Sequence, residues 1–249
     1  MPIIIKSDDE IRIMRHAGSV VARTLQKLVD ELRPGLVVKE LDKIVRKEFA
    51  KEGVEPTFLG YHGYPATVCV SVNEQIVHGI PGKRVLQEGD VVSLDLGCTY
   101  KGFVADSAVT VIVGKGTPEA QKLVDVTRES LAEGIRHLRA GKRLGEVSHA
   151  IQAYIEKHGF GVVREYVGHG VGREMHEEPQ VPNFGPADRG PVLKKGMVLA
   201  LEPMVTMGDW RTRQLEDNWT VTTIDGSWAA HFEHTVAVTE GEPEVLTVP

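Results

Sequence analysis

The stretch Val91-Val92-Ser93-Leu94-Asp95-Leu96-Gly97 sets an acid in the middle of an apolar, β-branched run, and Gly102-Phe103-Val104-Ala105-Asp106-Ser107-Ala108 reads as its return strand. An unpaired carboxylate in such surroundings costs several kcal/mol or gives up its charge. With a hairpin turn at Tyr100-Lys101, Asp95 and Asp106 would face each other with Cβ atoms about 5 Å apart. Like charges at that spacing are destabilising unless something cationic sits between them, and a metal ion is the simplest remedy. Glu202, within Met197-Val198-Leu199-Ala200-Leu201-Glu202-Pro203, and Glu233, heading Glu233-His234-Thr235-Val236-Ala237-Val238, repeat the arrangement. A lone strand aspartate is usually solvated or hydrogen-bonded; four acids planted in apolar strands ask for a shared partner.

Histidine supplies the rest of the set. His169 is bracketed by glycines in Tyr166-Val167-Gly168-His169-Gly170-Val171-Gly172, which lets backbone approach closely and leaves the imidazole unobstructed. His176 precedes Glu177-Glu178-Pro179, and His78 sits in Val77-His78-Gly79-Ile80-Pro81. Glycine triplets also cradle phosphates, but no Gly-Lys-Ser/Thr follows and the strand-to-helix context is missing. His16, His137, His149 and His158 fall in predicted helices and read as surface or packing residues. Four carboxylates with one imidazole and no thiolate suit manganese, iron, cobalt or zinc. Because carboxylates bridge, five such side chains can hold two ions about 3.5–4 Å apart, a hydrolytic arrangement.

The framework is α+β. Ser7-Asp8-Asp9-Glu10 has capping-box spacing, and Ile11, Met14, Val21, Leu25, Leu28 and Leu32 recur at helical intervals, predicting a helix that ends at Arg33-Pro34-Gly35. Further helices are predicted over residues 38–52, from Thr117-Pro118 to Gly141, and over 145–158. Sliding the chain along itself superposes Leu32, Arg33, Gly35, Glu40, Lys51 and Gly53 on Leu138, Arg139, Gly141, Glu146, Lys157 and Gly159 without a gap, which suggests two similar halves. Strands are predicted over 66–72, 91–96, 103–113, 198–205, 219–223 and 231–239. Helices on one face of a mainly antiparallel sheet make an α+β domain. The 41% hydrophobic content supports a full core, and a net charge of −6 argues against a broad nucleic-acid surface. Cys69 and Cys98 fit no metal or disulfide framework and point to a reducing, cytoplasmic setting. The opening residues read as neither signal peptide nor membrane anchor.

The order Asp95, Asp106, His169, Glu202, Glu233 resembles the ligand set of the methionine aminopeptidases. Tyr61-His62-Gly63-Tyr64-Pro65, His78-Gly79-Ile80-Pro81, Gly168-His169-Gly170-Val171-Gly172-Arg173 and His176-Glu177-Glu178-Pro179 are similar to that family's other signatures, over residues 7–239. The likeness is to the minimal, bacterial type I form. It implies the pita-bread (creatinase/aminopeptidase) fold: two pseudo-symmetric halves with helices outside a curved antiparallel sheet, in one catalytic domain over 1–249 with halves about 7–112 and 113–240. It implies two divalent ions (cobalt, manganese, iron or zinc), with Asp95 on one, His169 and Glu202 on the other, and Asp106 and Glu233 shared. Glu202 would also serve as general base, His176 would contact the scissile carbonyl oxygen, and His78 would bond the peptide nitrogen or assist the leaving amine. The positions matching the family's methionine pocket are Tyr61, Tyr64, Cys69, His78 and Trp219, with Phe58 and Met175 nearby. Phe58 stands where a smaller residue is common and Met175 where phenylalanine is common, departures that bear on pocket shape.

The resemblance further implies removal of the initiator methionine from nascent proteins, preferably before a small second residue, by a cytoplasmic monomer working near the ribosome, with no specific nucleic acid and no membrane as partner. Two other readings stand beside it. Proline-specific aminopeptidases and prolidases are similar in fold and ligands but usually carry an additional N-terminal domain. A non-catalytic binding protein of the same fold would need a separate reason for its buried acids.

Overall fold

The computed structural model describes residues 2–249. Four long helices, α1 (Asp8–Glu31), α2 (Lys39–Glu52), α3 (Pro118–His137) and α4 (Leu144–Lys157), lie against antiparallel sheet. Local signals account for their starts. The Glu10 N–H donates to Ser7 Oγ at 3.3 Å while the Ser7 N–H donates to Glu10 Oε2 at 2.9 Å, closing the capping box of α1. Thr117 caps α3 through the Ala120 N–H, with Pro118 in its first turn. Two helices end earlier than their periodicity predicts. α1 stops at Glu31 because Pro34 disfavours helix in the residue before it, and α3 stops at His137. The chain then leaves both helices the same way: the Gly35 N–H donates to Leu86 O at 2.8 Å and the Gly141 N–H to Leu193 O at 2.9 Å.

That likeness extends further. Val37 bridges Val85 and Arg143 bridges Val192, each antiparallel, while Gly89 donates to Val113 and Gly196 to Val238. α1 and α2 share one core with the strands of the first half, including Val92, Leu94 and Leu96. α3 and α4 share another with the second, including Leu199, Leu201 and Val236.

The large sheet has nine strands, with a path running Glu55–Pro56, Val91–Tyr100, Phe103–Ile112, Glu233–Ala237, Val198–Leu201, Gly168–Gly170 and Glu177–Val181. Cys69–Val72 adds to Val91–Tyr100, and Glu244–Val245 to Glu233–Ala237. Alternation along the strands turns Leu94 and Leu96 toward α1 and α2, so Asp95 between them faces the other way.

Three expectations need correction. The hairpin turns at Lys101-Gly102, not Tyr100-Lys101, with Tyr100 pairing Phe103. Positive φ at both central residues, 49° and 76°, is what a tight hairpin turn matching the strand twist requires. Asp95 therefore pairs with Ala108 and Asp106 with Gly97, which leaves the two acids diagonal on one face rather than opposed. The long strand predicted over 198–205 is also broken, into Val198–Leu201 and Met204–Thr206. Pro203 lacks the N–H a continuous ladder needs. The strand predicted over 231–239 breaks as well, into Ala229–His231 and Glu233–Ala237. Met204–Thr206 and Ala229–His231 pair with each other in a separate three-stranded sheet, so both chains change sheet beside Glu202 and Glu233.

Candidate metal centre and substrate pocket

Five neighbouring strands each deliver one polar side chain to the face turned away from the helices. In sheet order these are Asp95, Asp106, Glu233, Glu202 just past the end of Val198–Leu201, and His169. Ala108 pairs with Asp95 on one side and with Glu233 on the other, so a methyl group separates the strands of two acids. Thr235 braces Asp106: its hydroxyl accepts the Asp106 N–H at 3.1 Å and lies 2.8 Å from the Asp106 carbonyl and 3.1 Å from Oδ1. The glycines around His169 are needed for strand contact, since a Cβ at Gly168 would clash with Ala200 O and one at Gly170 with Glu178 O.

His169 Nδ1 lies 2.9 Å from Gly170 O, and because a carbonyl only accepts, Nδ1 carries the proton of the neutral ring. The lone pair on Nε2 then points at the acids, 3.7 Å from Asp106 Oδ2 and 3.5 Å from Glu202 Oε1. Burial pushes His169 down to about 4, and His78 and His176 likewise to about 4, so all three imidazoles are neutral at pH 7. Burial and mutual repulsion push the carboxyls the other way. Asp95, Glu202 and Glu233 are held well above the usual range, and Asp106 is raised to about 6, chiefly by burial.

All thirteen side chains singled out from the sequence line one cavity of about 230 Å³. It is smaller than the roughly 300–1,000 Å³ of pockets for drug-sized ligands, and so is scaled to a single side chain and its reacting bond. Beside the five polar residues stand Phe58, Tyr61, Tyr64, Cys69, His78, Met175, His176 and Trp219. Trp219 meets Tyr64 edge-on at 5.0 Å. His176 lies against His169 at 4.2 Å between centroids, the rings tilted by 54°, and its Nδ1 lies 2.7 Å from Tyr61 Oη.

The model of metallopeptidase family M24 matches residues 12–240, nearly the whole chain. The chain belongs to that family. Among M24 relatives, methionine aminopeptidase 1 of Bacillus subtilis is 51% identical over 98% of this chain and 99% of its own. The methionine aminopeptidase of Thermotoga maritima superposes with a TM-score of 0.98 at 50% identity, over all of both chains. Prolidase from Pyrococcus furiosus, at 24% identity, shares the fold with a TM-score of 0.80, and this chain spans 66% of it. The pita-bread architecture, helices outside and antiparallel sheet within, is thus shared with both solved structures.

A divalent cation fits the residues present. Donor atoms of Asp106, His169 and Glu233 lie within 4.8 Å of one another, and Asp95 Oδ1 is buried without a hydrogen-bond partner. Buried acids with an orphaned oxygen and a lone pair aimed among them form a ligand set for hard to borderline ions.

Two groups at this M24 centre escape the sequence reading. His62, in the left-handed region at φ 47°, lines the cavity and meets Tyr61 edge-on at 4.4 Å. His231 is 2% exposed and stands 3.8 Å from Glu202 Oε2. The first lay in plain view within a quoted motif; the second, flanked by Ala230 and Phe232, looks like core packing.

Proposed function

We propose that this chain is a metal-dependent methionyl aminopeptidase that removes the N-terminal methionine of new proteins, favouring a small second residue. One observation carries the reading: the acid–histidine cluster and an aromatic-and-sulfur pocket share a single cavity. A thioether side chain seated against Tyr64, Trp219, Cys69 and Met175 gains the sulfur–aromatic contacts that an unbranched, polarizable group makes well. The peptide bond following it then lies over the carboxylates.

Two divalent ions would be held by Asp95 on one, His169 and Glu202 on the other, with Asp106 and Glu233 shared. When bound, such ions supply Lewis acidity and lower the pKa of water into the neutral range. The chain's own groups do the rest. Glu202 accepts a proton from the attacking water and passes it on, as a general base within reach of the reacting atoms. His176 donates from Nε2 to the scissile carbonyl oxygen, where negative charge develops. Its other nitrogen is engaged by Tyr61, which keeps the proton on the working side. His78 bonds the peptide nitrogen and assists departure of the new amine. Water is consumed, and free methionine and a shortened peptide result.

The domain reading is a single catalytic unit with halves about 7–112 and 113–240, supported by the matching exits of α1 and α3. We further propose that it acts as a cytoplasmic monomer on chains leaving the ribosome. Two free, buried thiols support the reducing setting, and no helix among the described residues is long and apolar enough to cross a membrane.

The test is release of methionine from Met-Ala-Ser beside the leucine analogue and an Ala-Pro peptide, using metal-stripped protein before and after adding manganese or cobalt. Metal-dependent cleavage of the methionine peptide alone is expected. Cleavage of Ala-Pro alone would transfer the chemistry to the proline-specific class, and no cleavage under any metal would leave a binding protein.

A further inference from the structure

His231 is a costly residue to bury as it stands. The side chain is 2% exposed, and neither ring nitrogen has a hydrogen-bond partner. A neutral imidazole carries one donor and one acceptor, and leaving both unmade in the interior is unfavourable. Its main chain is clamped: the His231 N–H donates to Thr110 Oγ1 at 2.9 Å, and the Thr110 hydroxyl donates to His231 O at 2.6 Å. Pairing with Met204 holds the other edge.

The polar atom this ring faces is Glu202 Oε2, 3.8 Å from Nε2. The other oxygen of the same carboxyl, Oε1, stands 3.5 Å from His169 Nε2. Glu202 therefore lies between two imidazoles, just short of a hydrogen bond with each. Its main chain is held too, since it precedes Pro203 and its carbonyl accepts from Asn183 Nδ2 at 3.0 Å, so the ring and the carboxyl meet from two fixed backbones.

We propose that His231 is a positioning residue for Glu202, donating from Nε2 to Oε2 so that Oε1 stays turned toward His169 and the metal site. The inference rests on the aminopeptidase reading above. A carboxylate that both ligates an ion and moves a proton has to keep its two oxygens in distinct roles, and a fixed donor on one of them does so. The side chain then has a reason to be buried: its partner is Glu202 in the ligating orientation.

The test compares His231→Leu, which removes the donor, with His231→Gln, which keeps one at similar reach. Manganese affinity is measured by calorimetry and the melting temperature of the metal-free protein by scanning fluorimetry. For His231→Leu, manganese affinity is expected to fall about 10- to 100-fold, as for loss of other groups that orient metal ligands. The metal-free melting temperature is expected to hold or rise, because two unpaired polar atoms leave the core. His231→Gln is expected to bind within about threefold of the parent, at most the low end of what one hydrogen bond contributes. Unchanged affinity in His231→Leu overturns the proposal. So does lost affinity in both variants together with lowered metal-free stability, which would mark a packing role. If the parent itself binds no manganese or cobalt, the aminopeptidase reading falls first and takes this one with it.

Discussion

The phenol oxygen of Tyr61 lies 2.7 Å from Nδ1 of His176, and the two rings are 5.5 Å apart at 30°. A pocket wall is thereby joined to the group proposed to contact the scissile carbonyl. Tyr61→Phe keeps the wall and removes the hydrogen bond, so His176 loses control of which nitrogen carries its proton. The expected outcome is a fall in kcat of about three- to tenfold with KM for Met-Ala-Ser nearly unchanged, the scale of one hydrogen bond. Steady-state kinetics of the variant check it, and a rise in KM alone would assign Tyr61 to substrate binding only.

Glu233 is buried and its ionised form is opposed by burial and by Asp106, Glu202 and Asp95. Glu233→Gln is expected to weaken manganese binding by more than about 100-fold, beyond the loss typical of groups that merely orient ligands. The same variant should leave the metal-free melting temperature unchanged or higher, since a repelled buried acid is gone. Calorimetry and thermal scans on one preparation test both signs.

The raised carboxyls set a pH dependence. Above the ordinary histidine value of 6.5 the imidazoles are neutral in folded and unfolded chains alike, so they add no slope. Asp95, Glu202 and Glu233, held well above the usual range, still bind protons in the folded chain that the unfolded chain has lost. Stability of the metal-free protein is therefore expected to fall as pH rises above 6.5. Metal binding must expel those protons, so affinity should climb over the same range, with proton release visible as buffer-dependent heats. Flat stability from pH 6.5 to 8.5 in the metal-free protein would contradict this.

Lys6 and Glu177 form an ion pair at 2.5 Å with side chains 3% and 4% exposed. Glu177 Oε1 also accepts the Arg173 N–H at 2.8 Å, so the pair ties the first residues to the loop carrying His176. Lys6→Met leaves a buried carboxylate without its partner and should cost about 3–5 kcal/mol. For a chain of this length that is a drop of about 6 to 20 °C in melting temperature. Lys6→Met combined with Glu177→Gln removes both charges while keeping an acceptor, and should recover more than half of the loss.

The four acids were legible because an acid in an apolar strand is expensive, and that expense is visible in one dimension. Their register was not. It hangs on Lys101 accepting a left-handed conformation, which no local pattern announces, and a shift of one turn residue moves Asp106 from facing Asp95 to facing Gly97. The break at Pro203 was marked by the proline itself, whereas the one at Phe232 carries no such mark, because an apolar residue there suits a strand that continues as well as one that leaves for another sheet. The helix pairs were read nearly to their ends. His231 was missed for the opposite reason to the acids: histidine is tolerated in cores often enough that one among alanines raises no alarm, and only its two idle nitrogens mark it out.

The sheet order has a consequence for how the molecule comes into being. Asp95 and Asp106 belong to the first half, while His169, Glu202 and Glu233 belong to the second, and Glu233 takes its place between Asp106 and Glu202 only after all the others have been synthesised. A growing chain carries an acid hairpin long before it carries the strand that completes the cluster. The cluster thus cannot be complete through most of the chain's own translation, and its chemistry is a property of the finished sheet rather than of any segment emerging earlier.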